Sequence, residues 1–214
     1  MWPEHYKINV SRESFERLQL YEKLLKKWQS ASNLVSGNTL DEVWVRHFAD
    51  CAQLSAYIQP RDVSQKIVLA DIGSGAGFPG LVLAMLRNDI DFHLVESDER
   101  KCAFLRSVSR ETKLSESDVH INVHNSRIES ALAGINPDIV TARALASLNS
   151  LLMFVKPCLK TNPDLTCVFL KGRRYGDELE EARRHFDFEL QEEVSLTDSQ
   201  ARILILRAIR LRKE

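Results

Sequence analysis

Three glycines alternate in Asp71-Ile72-Gly73-Ser74-Gly75-Ala76-Gly77, directly after an apolar run. Glycine lets a backbone take positive φ and approach a ligand closely. A helix starting behind such a loop presents free N–H groups and the positive end of its dipole, which suits a carboxylate or a phosphate. Asp71 can hold the loop or attract a ligand's ammonium group. Glu96 ends the next strand-like run, where a carboxylate can accept both hydroxyls of a ribose. Its ordinary alternative is to cap the following helix, a task open also to Ser97 or Asp98.

Gly75-x-Gly77-x-x-Gly80 satisfies the dinucleotide fingerprint as well. With Asp71 in front, the string takes the D-x-G-x-G-x-G form usual in S-adenosylmethionine (SAM) methyltransferases. No Gly-Lys-Ser/Thr follows, so it is not a P-loop. Cys51, Cys102, Cys158 and Cys167 include no C-x-x-C pair, so no metal site is indicated. They read as small buried thiols in a reducing, cytosolic compartment.

The elements that must position these groups follow from periodicity. Phe15, Leu18, Tyr21, Leu24, Leu25 and Trp28 recur at three- and four-residue spacing, predicting an amphipathic helix over 11–30. Residues 33–38 read as a loop. Thr39-x-x-Glu42 reads as a capping box for a second helix reaching Tyr57, with Pro60 as the stop. From there strands and helices alternate. Strands are predicted over 66–72, 91–96, 119–124, 138–142 and 165–170. Helices are predicted over 78–87, from Ser97 or Asp98 to Arg110, after a Ser126-x-x-Glu129 capping box, over 148–159 and over 177–186. Two final strands, 188–194 and 202–209, have no helix between them and suggest an antiparallel edge hairpin. The alternation implies right-handed βαβ units and a parallel sheet. The ending belongs to SAM methyltransferases and not to dinucleotide dehydrogenases.

The 214 residues are 44% hydrophobic and 28% charged, with a net charge of −1, which fits one large domain with a short extension. No apolar run approaches membrane-span length, and Met1-Trp2-Pro3-Glu4-His5 is not a secretory signal. A near-neutral chain is no general nucleic-acid binder, so any basic surface facing RNA must be local.

Extended through Phe78-Pro79-Gly80, the glycine loop resembles that of the RsmG (GidB) family of bacterial ribosomal RNA methyltransferases. Further matching pieces are Arg46-His47-Phe48-Ala49-Asp50, Arg100-Lys101-x-x-Phe104-Leu105, Ser126-Arg127-Ile128-Glu129, Arg143-Ala144-Leu145-Ala146-Ser147-Leu148 and Lys171-Gly172. They occur in the family's order and cover about Tyr21 to Gly172. The family methylates N7 of one guanine in 16S rRNA near the decoding site. The resemblance implies that Gly73 and Phe78 contact SAM, that Ile128 and Glu129 flank its adenine, and that Arg143 lines the cofactor site. There are departures. Several relatives have Ser-Arg-Ala-Phe where this chain has Ala142-Arg143-Ala144-Leu145. An Asn-Leu-Thr segment in relatives is Asn33-Leu34-Val35-Ser36 here.

Guanine N7 has a lone pair and no proton, so its methylation needs no general base. The Asn/Asp-Pro-Pro-aromatic clamp of amine methylation is absent, and Pro157-Cys158 lies a whole helix beyond the place of a cytosine-attacking thiol. Because N7 and O6 of guanine accept hydrogen bonds from Arg or Lys, Arg143, Lys171 and Arg46 are the positioning and substrate-binding residues expected, with His47 beside them. Lys26-Lys27 and Arg173-Arg174 could meet phosphates or be solvated faces.

The expected fold is thus a class I SAM-dependent methyltransferase, a Rossmann-like, doubly wound, mostly parallel seven-stranded sheet at 61–214, with an N-terminal helical extension at 1–60. The expected cofactor site comprises Asp71, Gly73, Ser74, Gly75, Gly77, Phe78, Glu96, Ile128, Glu129 and Arg143, with S-adenosyl-L-homocysteine as product and no metal. The expected partner is 16S rRNA, free or within a small-subunit particle, for a cytoplasmic monomer without membrane or DNA contacts. Alternatives are a SAM methyltransferase acting on a small molecule or protein, a dinucleotide-binding oxidoreductase, and a non-catalytic scaffold.

Overall fold

In the computed structural model, which describes residues 8–60, 65–114 and 117–212, the apolar run after Lys66 becomes β1 (Ile67–Ile72). β2 (Ile90–Glu96), β3 (His120–Asn125), β4 (Ile139–Arg143), β5 (Thr166–Lys171), β6 (Phe186–Val194) and β7 (Arg202–Leu211) complete a seven-stranded sheet. Its order is β3-β2-β1-β4-β5-β7-β6. β1 has parallel neighbours on both sides, β2 in register Ile72↔Val95 and β4 in register Asp71↔Thr141. A central parallel strand is covered on both faces, which is why this segment is apolar without alternation. The chain winds outward from β1 to β3 and returns to β4, so the strand order switches between β1 and β4. A crevice opens at the carboxyl ends of the strands there. β7 inserts antiparallel between β5 and β6, as the helix-free ending predicts.

Two layers of helix cover the sheet. α1 (Arg12–Ser32), α3 (Gly80–Leu86) and α4 (Glu99–Glu111) share one core with Leu69, Phe92 and Leu94. α5 (Ile128–Leu132), α6 (Leu148–Val155) and α8 (Tyr175–Ala182) pack on the other face against Ala70, Ile72 and Val140. α1 starts where Ser11 caps the Ser14 amide at 3.0 Å, and buries Leu18, Tyr21 and Leu25 completely. The apolar stripe of α1 is therefore part of the same core as the sheet. The expected division at 60/61 adjoins residues 61–64, which lie outside the described residues, as do Met1–His5.

Three local expectations are corrected. The predicted helix 39–57 is a series of short pieces: a 3₁₀ turn at Gly37–Thr39, a π-helical stretch at Trp44–Ala49, α2 (Asp50–Ala52) and a 3₁₀ turn at Gln53–Tyr57. Thr39 caps nothing. Its hydroxyl donates to the Ser36 carbonyl (2.8 Å) and meets His47 Nε2 (2.9 Å). His47, Phe48 and Ala49 are buried in succession, then Cys51, Ala52, Gln53 and Leu54. Packing on several sides overrides a single helical period. The Ser126 capping box does not form either, because the Ser126 amide extends β3 by bonding Glu96 O (3.1 Å) and α5 starts after Arg127 without a side-chain cap. Helix 148–159 breaks at Pro157, which lacks an amide proton, into α6 and α7 (Cys158–Thr161).

Candidate active site

The glycine loop leaves β1 at the switch point and enters α3. Gly73, Gly75 and Gly77 all have positive φ, 66°, 56° and 93°. At Gly77 a Cβ would also stand 2.5 Å from Leu81 Cδ1 and 2.7 Å from the Tyr21 hydroxyl, so no side chain fits there. The loop is anchored to β2: Ser74 N donates to Val95 O (3.0 Å), and Gly75 N to Glu96 Oε2 (2.9 Å). Glu96 Oε1 accepts the Asp98 amide (2.9 Å), while Asp98 itself caps α4 through the Arg100 and Lys101 amides. Glu96 is therefore not the helix cap. It clasps the loop, and each carboxylate oxygen keeps a lone pair for another donor.

Asp71 is fully buried behind the loop. Its oxygens accept from Thr141 Oγ1 (3.0 Å) and the Gly80 amide (3.1 Å), tying β4 and the start of α3 to the end of β1. Burial pushes its carboxyl up to about 7, against the lowering effect of the Ser74 and Thr141 hydroxyls and the Gly80 amide. Of its two expected roles, holding the loop is the one its contacts display.

A cleft of about 570 Å³ opens in front of the loop. Gly73, Ser74, Gly75 and Phe78 line its floor, Val95 and Glu96 one side, and Ile128 and Glu129 another. Arg143 and His47 border it together with Thr39 and Leu145. A larger hollow of about 1040 Å³ lies at the opposite end of the sheet, by the strand starts Ile67, Ile139 and Thr166. It contains none of the glycine loop and lies away from the carboxyl-end crevice where doubly wound sheets bind ligands.

The N-terminal pieces complete the cleft. The His47 ring stacks on Phe78 with centroids 4.8 Å apart and planes 11° apart. Burial, and then the nearby Arg143 and Arg46 charges, press its pKa down to about 3, so it is neutral near pH 7. Thr39 gives its only proton to Ser36 O, so His47 Nε2 must be the donor in their contact, which leaves Nδ1 as a buried acceptor with no partner among the described residues. The Tyr21 hydroxyl, fully buried, donates to Ala76 O within the loop. Arg143 Nε pairs with Asp50 Oδ2 at 3.1 Å, a terminal nitrogen donates to Arg46 O (2.7 Å), and the guanidinium carbon lies 5.5 Å from the Phe78 ring centroid.

The fold thus gathers most of the expected residues at the cleft, with Asp71 behind the loop, Gly77 packed towards Leu81 and Tyr21, and Arg46 and Lys171 apart from it. Arg46 contributes its carbonyl to Arg143, and its side chain is exposed. Lys171 is buried at the end of β5, 2.5 Å from Glu178 and 2.7 Å from Ala146 O, away from the cleft. Among the paired cations outside the cleft, Lys26 meets Glu22 and Arg174 meets Asp177. Sequence reasoning missed Tyr21 as a loop contact and Asp50 as the partner of Arg143. The matching string Arg46-His47-Phe48-Ala49-Asp50 contained the signal for the second.

Comparisons with known proteins bear on the family and the fold. A family model for GidB, described as rRNA small subunit methyltransferase G, matches residues 14–206. Proteins named ribosomal RNA small subunit methyltransferase G are similar over nearly the whole chain. One from Paramagnetospirillum magneticum is 45% identical over 211 residues, covering 98% of this chain and 97% of that protein. One from Rhodospirillum centenum is 48% identical over 202 residues, covering 94% and 88%. Among solved structures, magnesium protoporphyrin IX methyltransferase from Synechocystis with bound SAM aligns with a TM-score of 0.59 at 10% identity, over 87% of this chain and 97% of that one. A putative O-methyltransferase from Klebsiella pneumoniae aligns at 0.56 and 11% identity, over 94% and 91%. At such identities these structures speak for the fold alone, a class I SAM-dependent methyltransferase.

Proposed function

This chain belongs to the GidB family, rRNA small subunit methyltransferase G, and from that premise we propose that it transfers a methyl group from SAM to N7 of a guanine in 16S rRNA near the decoding site. It acts as a cytoplasmic monomer, on free RNA or on a small-subunit particle, without a metal. The single observation that carries the reading is the convergence of the glycine loop, Glu96 and the start of α5 at Ile128 and Glu129 in one cleft at the switch point.

The residues fit the cofactor. The free lone pairs of Glu96 suit a ribose diol, Val95 and Ile128 offer apolar surface to an adenine, and the volume of about 570 Å³ is within the range of cofactor pockets. SAM supplies a methyl group already activated on a sulfonium. What the protein adds is position: the in-plane lone pair of N7 must lie in line with the bond that breaks, with water kept out. N7 itself must stay free of donors for this, so an arginine at the base edge takes O6 or a phosphate and leaves N7 open. Arg143 serves that task at the cleft wall, and the exposed side chain of Arg46 meets a phosphate of the RNA outside it. His47, neutral near pH 7, shapes the substrate side of the cleft by stacking on Phe78. Lys171 braces the end of β5 through Glu178 and acts on the substrate only if that pair opens.

The test is mass spectrometry of nucleosides from small-subunit rRNA, with and without the gene, followed by methyl transfer with purified protein. Loss of 7-methylguanosine on deletion, restored by the purified chain, is the expected result. An unchanged level overturns the reading.

A further inference from the structure

Three of the five N–H groups of Arg143 point into the protein. Nε meets Asp50 Oδ2 at 3.1 Å, one terminal nitrogen donates to Arg46 O at 2.7 Å, and the other lies 3.7 Å from Cys51 Sγ. One N–H remains on each terminal nitrogen, a pair suited to a ligand with two acceptor atoms. Ala144, the next residue, turns the backbone with φ 51°, so β4 does not continue and cannot guide the side chain further. The plane of the guanidinium is set by the Asp50 carboxylate and the Arg46 carbonyl together with the Phe78 ring.

Asp50 is held in turn from a third region. Its Oδ1 accepts from Thr197 Oγ1 (2.6 Å), Gln53 Nε2 (3.1 Å) and Ser195 Oγ (3.4 Å). Gln53 closes the assembly, accepting the Leu196 amide (2.8 Å) and donating to Ser195 Oγ (3.0 Å). Gln53 and Ser195 are each only 4% exposed. Ser195, Leu196 and Thr197 belong to the turn between β6 and β7, far in sequence from both Asp50 and Arg143. An ion pair present only for stability needs one partner. Here the carboxylate is fixed at one oxygen by the turn and applies the other to an arginine at the cleft wall.

We propose that Asp50 is the positioning residue for Arg143, and that the β6–β7 turn sets Asp50 through Thr197. The inference rests on Arg143 acting in the cleft on the RNA substrate. Asp50 touches neither substrate nor cofactor; it acts by aiming the two free N–H groups. Misplacing them lowers the rate at which bound substrate reacts and leaves the cofactor's affinity largely alone.

Asp50→Asn separates the two halves of the carboxylate. Its amide oxygen still accepts from Thr197 and Gln53, while its NH₂ faces the Arg143 donor and cannot pair with it. Single-turnover methyl transfer to small-subunit rRNA lacking the modification should slow by about tenfold to a hundredfold, the scale of a misplaced positioning group. SAM affinity by calorimetry should stay within about threefold. Adding Asp50→Asn to Arg143→Lys should slow the reaction little further, because both changes break one unit. Thr197→Val, which keeps the carboxylate and loses its orienting bond, should slow transfer by about threefold or more with a normal melting temperature. Wild-type rates in both Asp50→Asn and Thr197→Val, with Arg143→Lys slow, overturn the inference and leave the site reading standing. A wild-type rate in Arg143→Lys overturns the site reading itself. Should Asp50→Asn melt below the assay temperature, Thr197→Val decides alone, and a wild-type rate there overturns the proposal.

Discussion

Tyr21, on the first helix, donates its hydroxyl proton to the carbonyl of Ala76 in the middle of the glycine loop. The phenol is fully buried among Phe48, Phe78 and Phe104, and burial raises its pKa well above the usual value, so it remains a donor at all ordinary pH. A helix before the sheet thereby sets the shape of a ligand loop within it. Tyr21→Phe leaves the Ala76 carbonyl unpaired in a buried place, which costs about 1–3 kcal/mol. We expect a loss of that size in urea unfolding and a weaker SAM dissociation constant. Wild-type values for both would show that the contact has no energetic role.

Gly75 has φ 56°, and a Cβ there would meet nothing closer than Gly73 O at 3.8 Å. Room exists for one carbon, so the cost of Gly75→Val is backbone strain, about 1–2 kcal/mol or more for a branched residue, plus methyl groups projecting from the cleft floor. Calorimetry should show SAM binding lost or strongly reduced, with the melting temperature modestly lowered. Binding as tight as wild type would move the cofactor elsewhere.

Glu96→Ala removes the acceptor for two amides, Gly75 and Asp98, in addition to any ribose contact. We expect SAM affinity to fall by about 1–3 kcal/mol. Glu96→Gln keeps one acceptor oxygen and should fall between. If the alanine variant binds SAM normally, neither the clasp nor the ribose contact matters to binding.

Asp71 and His47 oppose each other with pH. The Asp71 carboxyl is raised from the ordinary 3.8 to about 7, so its contribution to stability is full below 3.8 and is lost as pH rises through 7. His47 is lowered from 6.5 to about 3, so its contribution is full above 6.5 and is lost as pH falls through 3. Asp71→Asn keeps its oxygen for the Gly80 amide, turns its NH₂ to the Thr141 hydroxyl, which can accept, and removes the first trend. Chemical denaturation across this range should show the variant gaining stability relative to wild type as pH rises from 3.8 to 7. Parallel curves would mean that Asp71 ionises in the folded protein as easily as in the unfolded chain.

Much of the fold was legible because its signals are local. An apolar run without alternation meant a strand covered on both faces, and β1 lies inside the sheet between β2 and β4. Two strands without an intervening helix meant an antiparallel hairpin, and β7 pairs antiparallel with β5 and β6. The spacing of Gly73, Gly75 and Gly77 announced a loop with positive φ, since no other residue takes that conformation as readily.

Residues 39–57 were legible as helical in content only. Their π and 3₁₀ turns follow from burial on several sides, which no single period encodes. The partners of the charges were likewise decided in three dimensions. Nothing near Arg143 in sequence is acidic, and its carboxylate comes from Asp50; Lys171 reads as a free strand-end cation until Glu178 is brought to it. By itself the sequence determined the strand order's logic, the ligand loop and the family, because backbone conformation and apolar patterning act over a few residues. Only the tertiary structure decided which polar groups satisfy one another, because a buried donor takes whichever acceptor the packing of distant elements puts within about 3 Å.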